Sequence, residues 1–178
     1  MVDELKLSDN DFEIFGLPPR FALDLPGLDE QWKRLQSAAH PDRFVSEGAA
    51  AQRMAMQWAV RINEAHRRLK DPLLRAAYLC ELNGQDLQAD RHAAMPAAFL
   101  MRQMEWRESL EDASGLAEIE ALAEEVAAER RTTLRQLVQQ IDGTSTPDWP
   151  AIAQAVRGLM FVERFSIEIA RRIDALAE

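Results

Sequence analysis

The amino-acid sequence predicts an all-α protein built as two helical units. Its 178 residues include only 7 glycines and 8 prolines, and 7% of the residues are aromatic. A β-sandwich or β-barrel would need turn residues at short, regular spacing, which this composition does not supply. Apolar residues recur instead at spacings of three and four, the period of amphipathic helices. The hydrophobic fraction of 47% is enough to build a core.

Charge and cysteine content narrow the possible classes of function. The net charge is −9, which argues against a general nucleic-acid-binding protein. Cys80 is the single cysteine, so one chain cannot form an internal disulfide or a cysteine-built metal site. No apolar run approaches the roughly 18 residues of a membrane span, and the acidic first residues do not resemble a signal segment. We therefore expect a cytoplasmic protein that does not contact membranes.

A break at Asn83-Gly84 divides the chain into two predicted domains, residues 1–83 and 84–178. The dipeptide is a turn signal, and it directly follows an apolar helical run. The second half is also the more acidic of the two. Short connections between the predicted helices indicate antiparallel packing in both halves.

The first half predicts four helices, of which the first two have clear end signals. A short helix ends at Gly16, and Ser8 and Asp11 are spaced as its N-terminal cap. The second helix starts near Asp24, a good N-cap residue. Pro41 ends that helix, because the residue before a proline is pushed out of the α region.

The third and fourth helices of the first half follow from apolar spacing. The third runs from about Ala49 to Leu69 and the fourth follows Asp71-Pro72. Cys80 lies in an apolar run of the fourth helix and is expected to be a buried small hydrophobe. The predicted core stripe of the third helix is Met54, Trp58, Ile62, Ala65 and Leu69.

The second half predicts three helices. The first starts at Pro96 and ends near Leu110, and the second covers about Ser114 to Ile141. The last runs from about Pro147 to the C-terminus, with Thr146 as its cap and Pro147 at its first position.

The tripeptide His40-Pro41-Asp42 is the sharpest local feature of the first half. It lies in the short connection between two predicted antiparallel helices, where exposed polar residues tend to be functional. The simplest alternative is that His40 and Asp42 only cap the neighbouring helix ends. An enzyme in which Asp42 orients His40 as a base has no candidate nucleophile nearby. A metal site is equally weakly supported, since no third ligand is evident.

The predicted helix from Pro96 has two apolar faces instead of one. At 100° per residue, Phe99, Gln103, Trp106 and Leu110 form the natural core face. A second face lies away from them and has acidic residues within or beside it. It consists of Ala97, Leu100, Met101 and Met104, with Glu108 within it and Glu105 beside it. These residues either pack against the first domain or another helix, or form a binding surface.

The last predicted helix carries one aromatic residue off its apolar stripe. Phe161 lies on the opposite side, among charged residues such as Arg157 and Arg164. Such a side chain has no role, covers a domain boundary or acts as a binding anchor.

The ordered motifs resemble the HscB family, the J-type co-chaperones of iron–sulfur cluster assembly. The resemblance covers nearly the whole chain, and its later part distinguishes this family from other J-proteins. The motifs are Phe12-x-x-Phe15-Gly16-Leu17-Pro18, His40-Pro41-Asp42-Arg43-Phe44, Ile62-Asn63-Glu64-Ala65, Asp71-Pro72-Leu73-Leu74-Arg75-Ala76-Ala77-Tyr78-Leu79 and Phe99-Leu100-Met101-Arg102-Gln103-Met104-Glu105-Trp106-Arg107-Glu108.

The resemblance implies an L-shaped molecule, in which an N-terminal J-domain helical hairpin is joined to a C-terminal three-helix bundle. It also implies that the first domain stimulates the ATPase of a DnaK-type chaperone, expected to be HscA. The residues implied in that contact are His40, Pro41 and Asp42, with the basic residues Lys33, Arg34 and Arg43.

The same resemblance implies that the second domain binds IscU, the iron–sulfur scaffold protein. The implied contact residues are Leu100, Met101, Met104, Glu105, Glu108 and Phe161. No catalytic residue, metal site or cofactor is implied, so the chain is expected to be an adaptor and not an enzyme. The alternative is a general J-protein whose second half binds unfolded clients.

Overall fold

A computed structural model describes residues 5–87 and 95–177 of the chain. Within these residues the secondary structure is entirely helical, with no strand, so the all-α prediction is confirmed. In chain order the elements are α1 (Asp11–Ile14), α2 (Leu25–Ala38), the 3-10 helix Pro41–Glu47, α3 (Ala49–Lys70), α4 (Pro72–Leu82), α5 (Ala97–Asp112), α6 (Leu116–Asp142) and α7 (Trp149–Ala177). None of the helices in the described ranges is long and apolar enough to cross a bilayer.

The chain packs as two compact units, Met1–Leu79 and Cys80–Glu178. The change from one unit to the other falls inside α4. The domain boundary predicted at Asn83-Gly84 stays a prediction, because a division of contacts does not establish where an independently folding domain ends.

The first helix begins with a reciprocal cap that the sequence analysis placed on the wrong residues. Asn10 Oδ1 accepts hydrogen bonds from the backbone N–H groups of Phe12 and Glu13, both at 3.0 Å. Glu13 Oε2 accepts in turn from the Asn10 N–H at 2.8 Å. The expected cap of Ser8 and Asp11 is therefore wrong, since the capping box starts at Asn10. Asp11 is instead fully buried.

Helices α2 and α3 form an antiparallel pair, as predicted. Three contacts run in opposite order along the two helices: Asp29 to His66 at 2.7 Å, Trp32 to Asn63 at 2.9 Å and Gln36 to the Ala59 carbonyl at 3.1 Å. The connection between these helices is not an irregular loop. It holds the 3-10 helix, which packs against α3.

The core stripe of α3 differs from the prediction at one residue. Ala55 is buried, whereas the Met54 side chain is 50% exposed. The buried positions Ala55, Trp58 and Ile62 keep the three-and-four spacing. Met54 was expected in the core because it lies four residues before Trp58, but Ala55, three residues before Trp58, is buried instead. The prediction for Met54 is therefore wrong.

A buried arginine connects α4 to the rest of the first unit. The Arg75 Nε–H donates to the Phe21 carbonyl at 2.7 Å, and its guanidinium also donates to the Leu69 carbonyl near the end of α3. The last carbonyls of a helix have no partner within the helix. Arg75 therefore satisfies one of them and fixes the turn between α3 and α4.

Helices α5, α6 and α7 bury one continuous hydrophobic core in the second unit. It consists of Trp106, Ile119, Leu122, Val126, Val162, Phe165 and Ile169. Ion pairs join the helices at the edge of this core, Arg102 to Glu129 at 2.9 Å and Arg130 to Glu163 at 2.7 Å.

Helix α7 starts two residues later than predicted. Asp148 precedes its first residue, and Asp148 Oδ1 accepts a hydrogen bond from the Ala151 N–H at 3.1 Å. Pro150 lies in the first turn, where its missing N–H costs nothing. The expected cap at Thr146 with Pro147 in the first position is thus wrong, because the second proline and the carboxylate offer the better start.

Candidate functional site

The predicted chaperone contact lies at the start of the 3-10 helix that follows α2. His40 is the N-cap residue of this helix, and its Nδ1 accepts a hydrogen bond from the Asp42 backbone N–H at 3.3 Å. A neutral imidazole that accepts at Nδ1 carries its proton on Nε2. Pro41 occupies the first helical position, where its fixed φ suits the turn. The tripeptide is therefore held in a defined shape by its own backbone.

The polar side chains of the tripeptide remain open to solvent. The side chains of His40 and Asp42 are 58% and 86% exposed, and His40 Nδ1 lies 3.7 Å from Asp42 Oδ2. His40 does cap the 3-10 helix, as the simpler alternative proposed. That cap uses the backbone N–H of Asp42 and leaves its carboxylate free to meet a cation on a partner.

The structure places the predicted basic residues near this tripeptide or on the helix before it. The Arg43 N–H donates to the His40 carbonyl at 3.0 Å, and its guanidinium donates to the Ser37 carbonyl at 3.3 Å, close to the end of α2. Lys33 and Arg34 are exposed on α2, where Arg34 also donates to Gln31. Arg43 thus has a structural contact in addition to its predicted role.

A groove of about 210 Å³ lies beside the 3-10 helix, but the tripeptide does not line it. Its walls come from apolar residues such as Phe44, Met54 and Trp58. A catalytic His40 oriented by Asp42 would have to face a substrate cavity. This groove therefore gives no support to the enzyme alternative. Within the described ranges, no three histidine, cysteine, aspartate or glutamate side chains are grouped to hold a metal ion.

The two faces predicted for α5 differ sharply in burial. Trp106 is 2% exposed, and its Nε1–H donates to Glu125 Oε1 at 2.8 Å. On the second face the exposed fractions are 45% for Leu100, 63% for Met101 and 69% for Met104. These three side chains therefore lie outside the buried core of the second unit. We call Leu100, Met101 and Met104 the α5 patch.

Two acidic residues lie beside the α5 patch. Glu105 and Glu108 are both exposed on the same helix. Exposed apolar side chains beside charged ones are typical of protein-binding surfaces. The structure therefore groups all five α5 residues that the sequence analysis selected on one solvent-facing side of the helix.

The environment of Phe161 differs from the prediction. Its ring is half-buried and packs against the core instead of standing free on a charged face. It stacks on Phe165 at a centroid distance of 5.8 Å and meets the edge of Phe99 at 5.9 Å. The Arg107 guanidinium lies 5.9 Å from the ring centroid. The Phe165 contact follows from helical spacing within α7. The contacts with Phe99 and Arg107 come from α5, so the periodicity of α7 alone could not show them.

Phe99 and Arg107 connect Phe161 to the α5 patch, and sequence reasoning did not select Arg107. On α5, Arg107 is three residues after Met104, so the two side chains lie on neighbouring turns of one side of the helix. On a helical wheel, Arg107 falls between the core face and the second face, and this position could have marked it as a neighbour of the α5 patch. Only the position of α7 reveals that its cation lies near an aromatic ring.

The comparisons with known proteins agree with this architecture. The sequence profile described as "HSCB C-terminal oligomerisation domain" matches residues 95–170. A co-chaperone protein HscB homolog of Burkholderia thailandensis is 49% identical over 175 residues, covering 97% of this chain and 98% of the relative.

The chain belongs to the HscB co-chaperone family.

Solved HscB structures share the fold. The chaperone HscB from Vibrio cholerae is 38% identical, with a TM-score of 0.80 over 94% of this chain and 99% of the other. Human co-chaperone HscB is 20% identical, with a TM-score of 0.86 over 94% of this chain and 84% of the other. The human protein supports the fold alone. The family identified from the motifs is confirmed, and the co-chaperones it contains are a non-enzymatic class.

Proposed function

We propose that this HscB-family protein is an adaptor between two partners. It binds an IscU-type iron–sulfur scaffold through the second unit and delivers it to a DnaK-type chaperone, HscA, through the first. It also stimulates the ATPase of that chaperone. The iron–sulfur cluster is the scaffold's cargo and not a cofactor of this chain.

The observation that carries the proposal is the exposure of the α5 patch on a helix whose other side is buried. An apolar patch costs solubility unless a partner covers it. Leu100, Met101 and Met104 offer that partner flexible apolar side chains, and methionine adapts readily to another surface. Glu105 and Glu108 beside the patch favour a scaffold surface that carries basic residues. Phe161 supplies an aromatic anchor at its edge.

The exposed tripeptide supports the chaperone contact. The Asp42 carboxylate is 86% exposed on a turn fixed by Pro41 and by the His40 cap. A preformed turn loses little conformational freedom when it docks. Together with the exposed cations Lys33 and Arg34 and with Arg43, it presents both signs of charge within one short region. Such a surface fits an ATPase domain that pairs a cation with Asp42.

The chemistry of ATP hydrolysis belongs to the chaperone in this proposal. The co-chaperone shifts the conformational equilibrium of its partner by binding one state more tightly than the other. Because the scaffold and the chaperone bind to the same chain, this protein holds them close together and raises the concentration of the scaffold near the chaperone. We place this action in the cytoplasm.

The steady-state ATPase rate of the cognate HscA tests the proposal. The rate is measured with HscA alone, with this protein, with the IscU-type scaffold, and with both. We expect a rate with both that exceeds the product of the separate stimulations, since the adaptor links its two partners. A Glu105→Gln, Glu108→Gln double variant, which keeps the volume of the surface but removes its charge, is expected to weaken this synergy.

Two other results would support different functions. Stimulation by this protein that the scaffold does not increase would indicate a general J-protein for unfolded clients. A chaperone rate unchanged by this protein would reduce His40-Pro41-Asp42 to a helix cap and contradict the proposal.

A further inference from the structure

Three aromatic contacts form a row from the core of the second unit to its surface. Trp106 stacks on Phe165 at 6.1 Å, Phe165 stacks on Phe161 at 5.8 Å, and the edge of Phe99 meets Phe161 at 5.9 Å with an interplanar angle of 84°. Trp106 and Phe165 are almost fully buried, whereas Phe161 and Phe99 are only partly buried. The row thus includes Phe161, the ring that the proposed function assigns to the scaffold contact, and ends on Phe99.

The Phe99 ring packs directly against Gly158 of α7. A Cβ atom on Gly158 would lie 3.4 Å from Cε2 and Cζ of Phe99. A larger side chain at this position would push the Phe99 ring away from α7. An alanine Cβ at position 158 would be in ordinary van der Waals contact with the Phe99 ring, whereas a bulkier side chain would disturb the ring beside Phe161.

The space next to Phe99 is open. A groove of about 220 Å³ borders its ring, and Met95, Pro96 and Leu159 are among the other lining residues. If the Phe99 ring were shortened, this groove would extend towards Phe161. The edge of Phe161 that Phe99 now contacts would then lose its neighbour.

We propose that Phe99 is a positioning residue for Phe161. Its ring holds Phe161 against Phe165 in the orientation that the scaffold meets, while Phe99 itself does not contact the scaffold. The edge-to-face geometry favours one orientation of the Phe161 ring. Without it, scaffold binding must also order that ring, which costs affinity. This inference rests on the proposed function and deepens it.

A double-mutant cycle on the full chain tests the proposal. Calorimetry measures the dissociation constant for the cognate, cluster-free IscU-type scaffold. It is measured for Phe99→Leu, for Phe161→Ala and for the double variant. We expect Phe99→Leu to weaken binding about three- to tenfold, the range of an aromatic pair. On the Phe161→Ala background the same change is expected to have no further effect, because Phe99 acts through Phe161.

A control variant separates positioning from general loss of stability. Ile173 is half-buried against the same core but lies 12 positions after Phe161 on α7, so Ile173→Ala weakens the core away from the proposed contact. We expect it to lower the urea midpoint and leave the dissociation constant unchanged. Phe99→Met, which replaces the ring with a longer and more flexible side chain, is the second variant in case Phe99→Leu does not fold.

The unbound protein gives a second readout. In a ¹H–¹³C aromatic spectrum, the Phe161 ring signals are expected to shift in Phe99→Leu and in Phe99→Met, because the neighbouring ring is gone, and to stay in place in Ile173→Ala. Unshifted Phe161 signals, or losses of affinity that multiply in the double variant, would overturn the positioning role.

The proposed function and this inference fail in different ways. If Phe161→Ala leaves scaffold binding unchanged, the scaffold surface is wrongly assigned and the positioning role fails with it. If Phe161→Ala weakens binding but neither Phe99 variant does, the scaffold surface stands and the inference alone is wrong.

Discussion

The Asp11 carboxylate lies 2.6 Å from the guanidinium of Arg61, a residue 50 positions later in the chain, and is itself fully buried. Arg68 lies 3.4 Å from the other carboxylate oxygen. The Tyr78 hydroxyl accepts a hydrogen bond from the Asp11 N–H at 3.0 Å, and the Arg68 guanidinium stands 4.6 Å from the centre of the Tyr78 ring. This cluster joins α1, α3 and α4 around a single buried charge.

Removing that charge should strongly destabilise the first unit. We expect Asp11→Ala to lower the free energy of unfolding by about 1.5–3 kcal/mol, because the charged hydrogen bond to Arg61 is lost while both arginines still reach solvent. Urea unfolding followed by circular dichroism measures the change. Glu64→Ala, which removes an exposed carboxylate from α3, is the control and should stay within about 0.5 kcal/mol of the unaltered protein. Equal effects of the two variants would mean that the buried ion pair adds nothing to stability.

A single exposed carboxylate should decide the stimulation of the chaperone. We expect Asp42→Asn to abolish stimulation of the HscA ATPase while helicity and scaffold affinity stay unchanged. The His40 cap uses the Asp42 backbone N–H, which asparagine retains. Glu47→Gln is the matched control, since it removes the same charge from the other end of the same 3-10 helix. A loss of helicity in Asp42→Asn would instead assign Asp42 a structural role.

The α5 patch should matter for scaffold affinity but not for folding. Met104 is 69% exposed, so Met104→Asp is expected to change the free energy of unfolding by no more than about 0.5 kcal/mol. The same change places a charge in the proposed interface and should weaken scaffold binding at least about tenfold. Titration calorimetry measures the scaffold affinity, and urea unfolding measures the stability. Leu116→Asp, at an exposed leucine of α6, should bind the scaffold normally. Tight scaffold binding by Met104→Asp would exclude the patch from the interface.

The Cys80 thiol should react only slowly with alkylating reagents in the folded protein. Burial raises the pKa of its thiol from 9.0 to about 12, an effect that nearby Arg157 opposes and Glu81 reinforces. Because the thiolate is the reactive form, iodoacetamide at pH 8 should label Cys80 much more slowly in the native protein than in urea. Mass spectrometry follows the labelling. Rapid labelling of the fully helical protein would contradict the burial of this thiol.

The same raised pKa predicts a loss of stability at alkaline pH. The folded state binds the Cys80 thiol proton more tightly than the unfolded state does. The resulting contribution to the free energy of unfolding is therefore complete below pH 9. That contribution is lost as the pH rises from about 9 towards 12. Cys80→Ala should remove this part of the pH dependence, which urea titrations across that range would reveal.

The helices and much of the core followed from the sequence because their signals are local. The spacing of Trp58, Ile62 and Leu69 predicts the buried side of α3, and all three are buried. The apolar run around Cys80 likewise predicts a buried thiol. Such patterns are readable because a helix repeats every 3.6 residues, so the residues that share one face can be counted without a structure.

The errors occurred where several residues competed for the same role. Asn10 and Ser8 are both good caps, as are Asp148 and Thr146, and local sequence does not rank them. Met54 is more hydrophobic than Ala55, yet the alanine is buried. Which of two adjacent residues is buried depends on how closely the neighbouring helices pack, and this cannot be read from hydrophobicity alone.

The candidate site shows the same division. The second apolar face of α5 was visible in the sequence, since three large apolar side chains lie away from the buried Trp106. The surroundings of Phe161 were not visible. A helical wheel of α7 places Phe161 among charges and one turn from Phe165, whereas only the structure brings the edge of Phe99 from α5 against it.

By itself, the sequence determined that this protein is all helical, that it carries the HscB family motifs, and that α5 has an apolar side beyond its core face. Tertiary structure alone decided that Asp11 is a buried charge held by Arg61, and that Phe161 is half core and half surface. The physical reason is the separation along the chain of the residues that interact. Helix periodicity and capping act over a few residues, whereas desolvation and ring stacking depend on which distant segments meet.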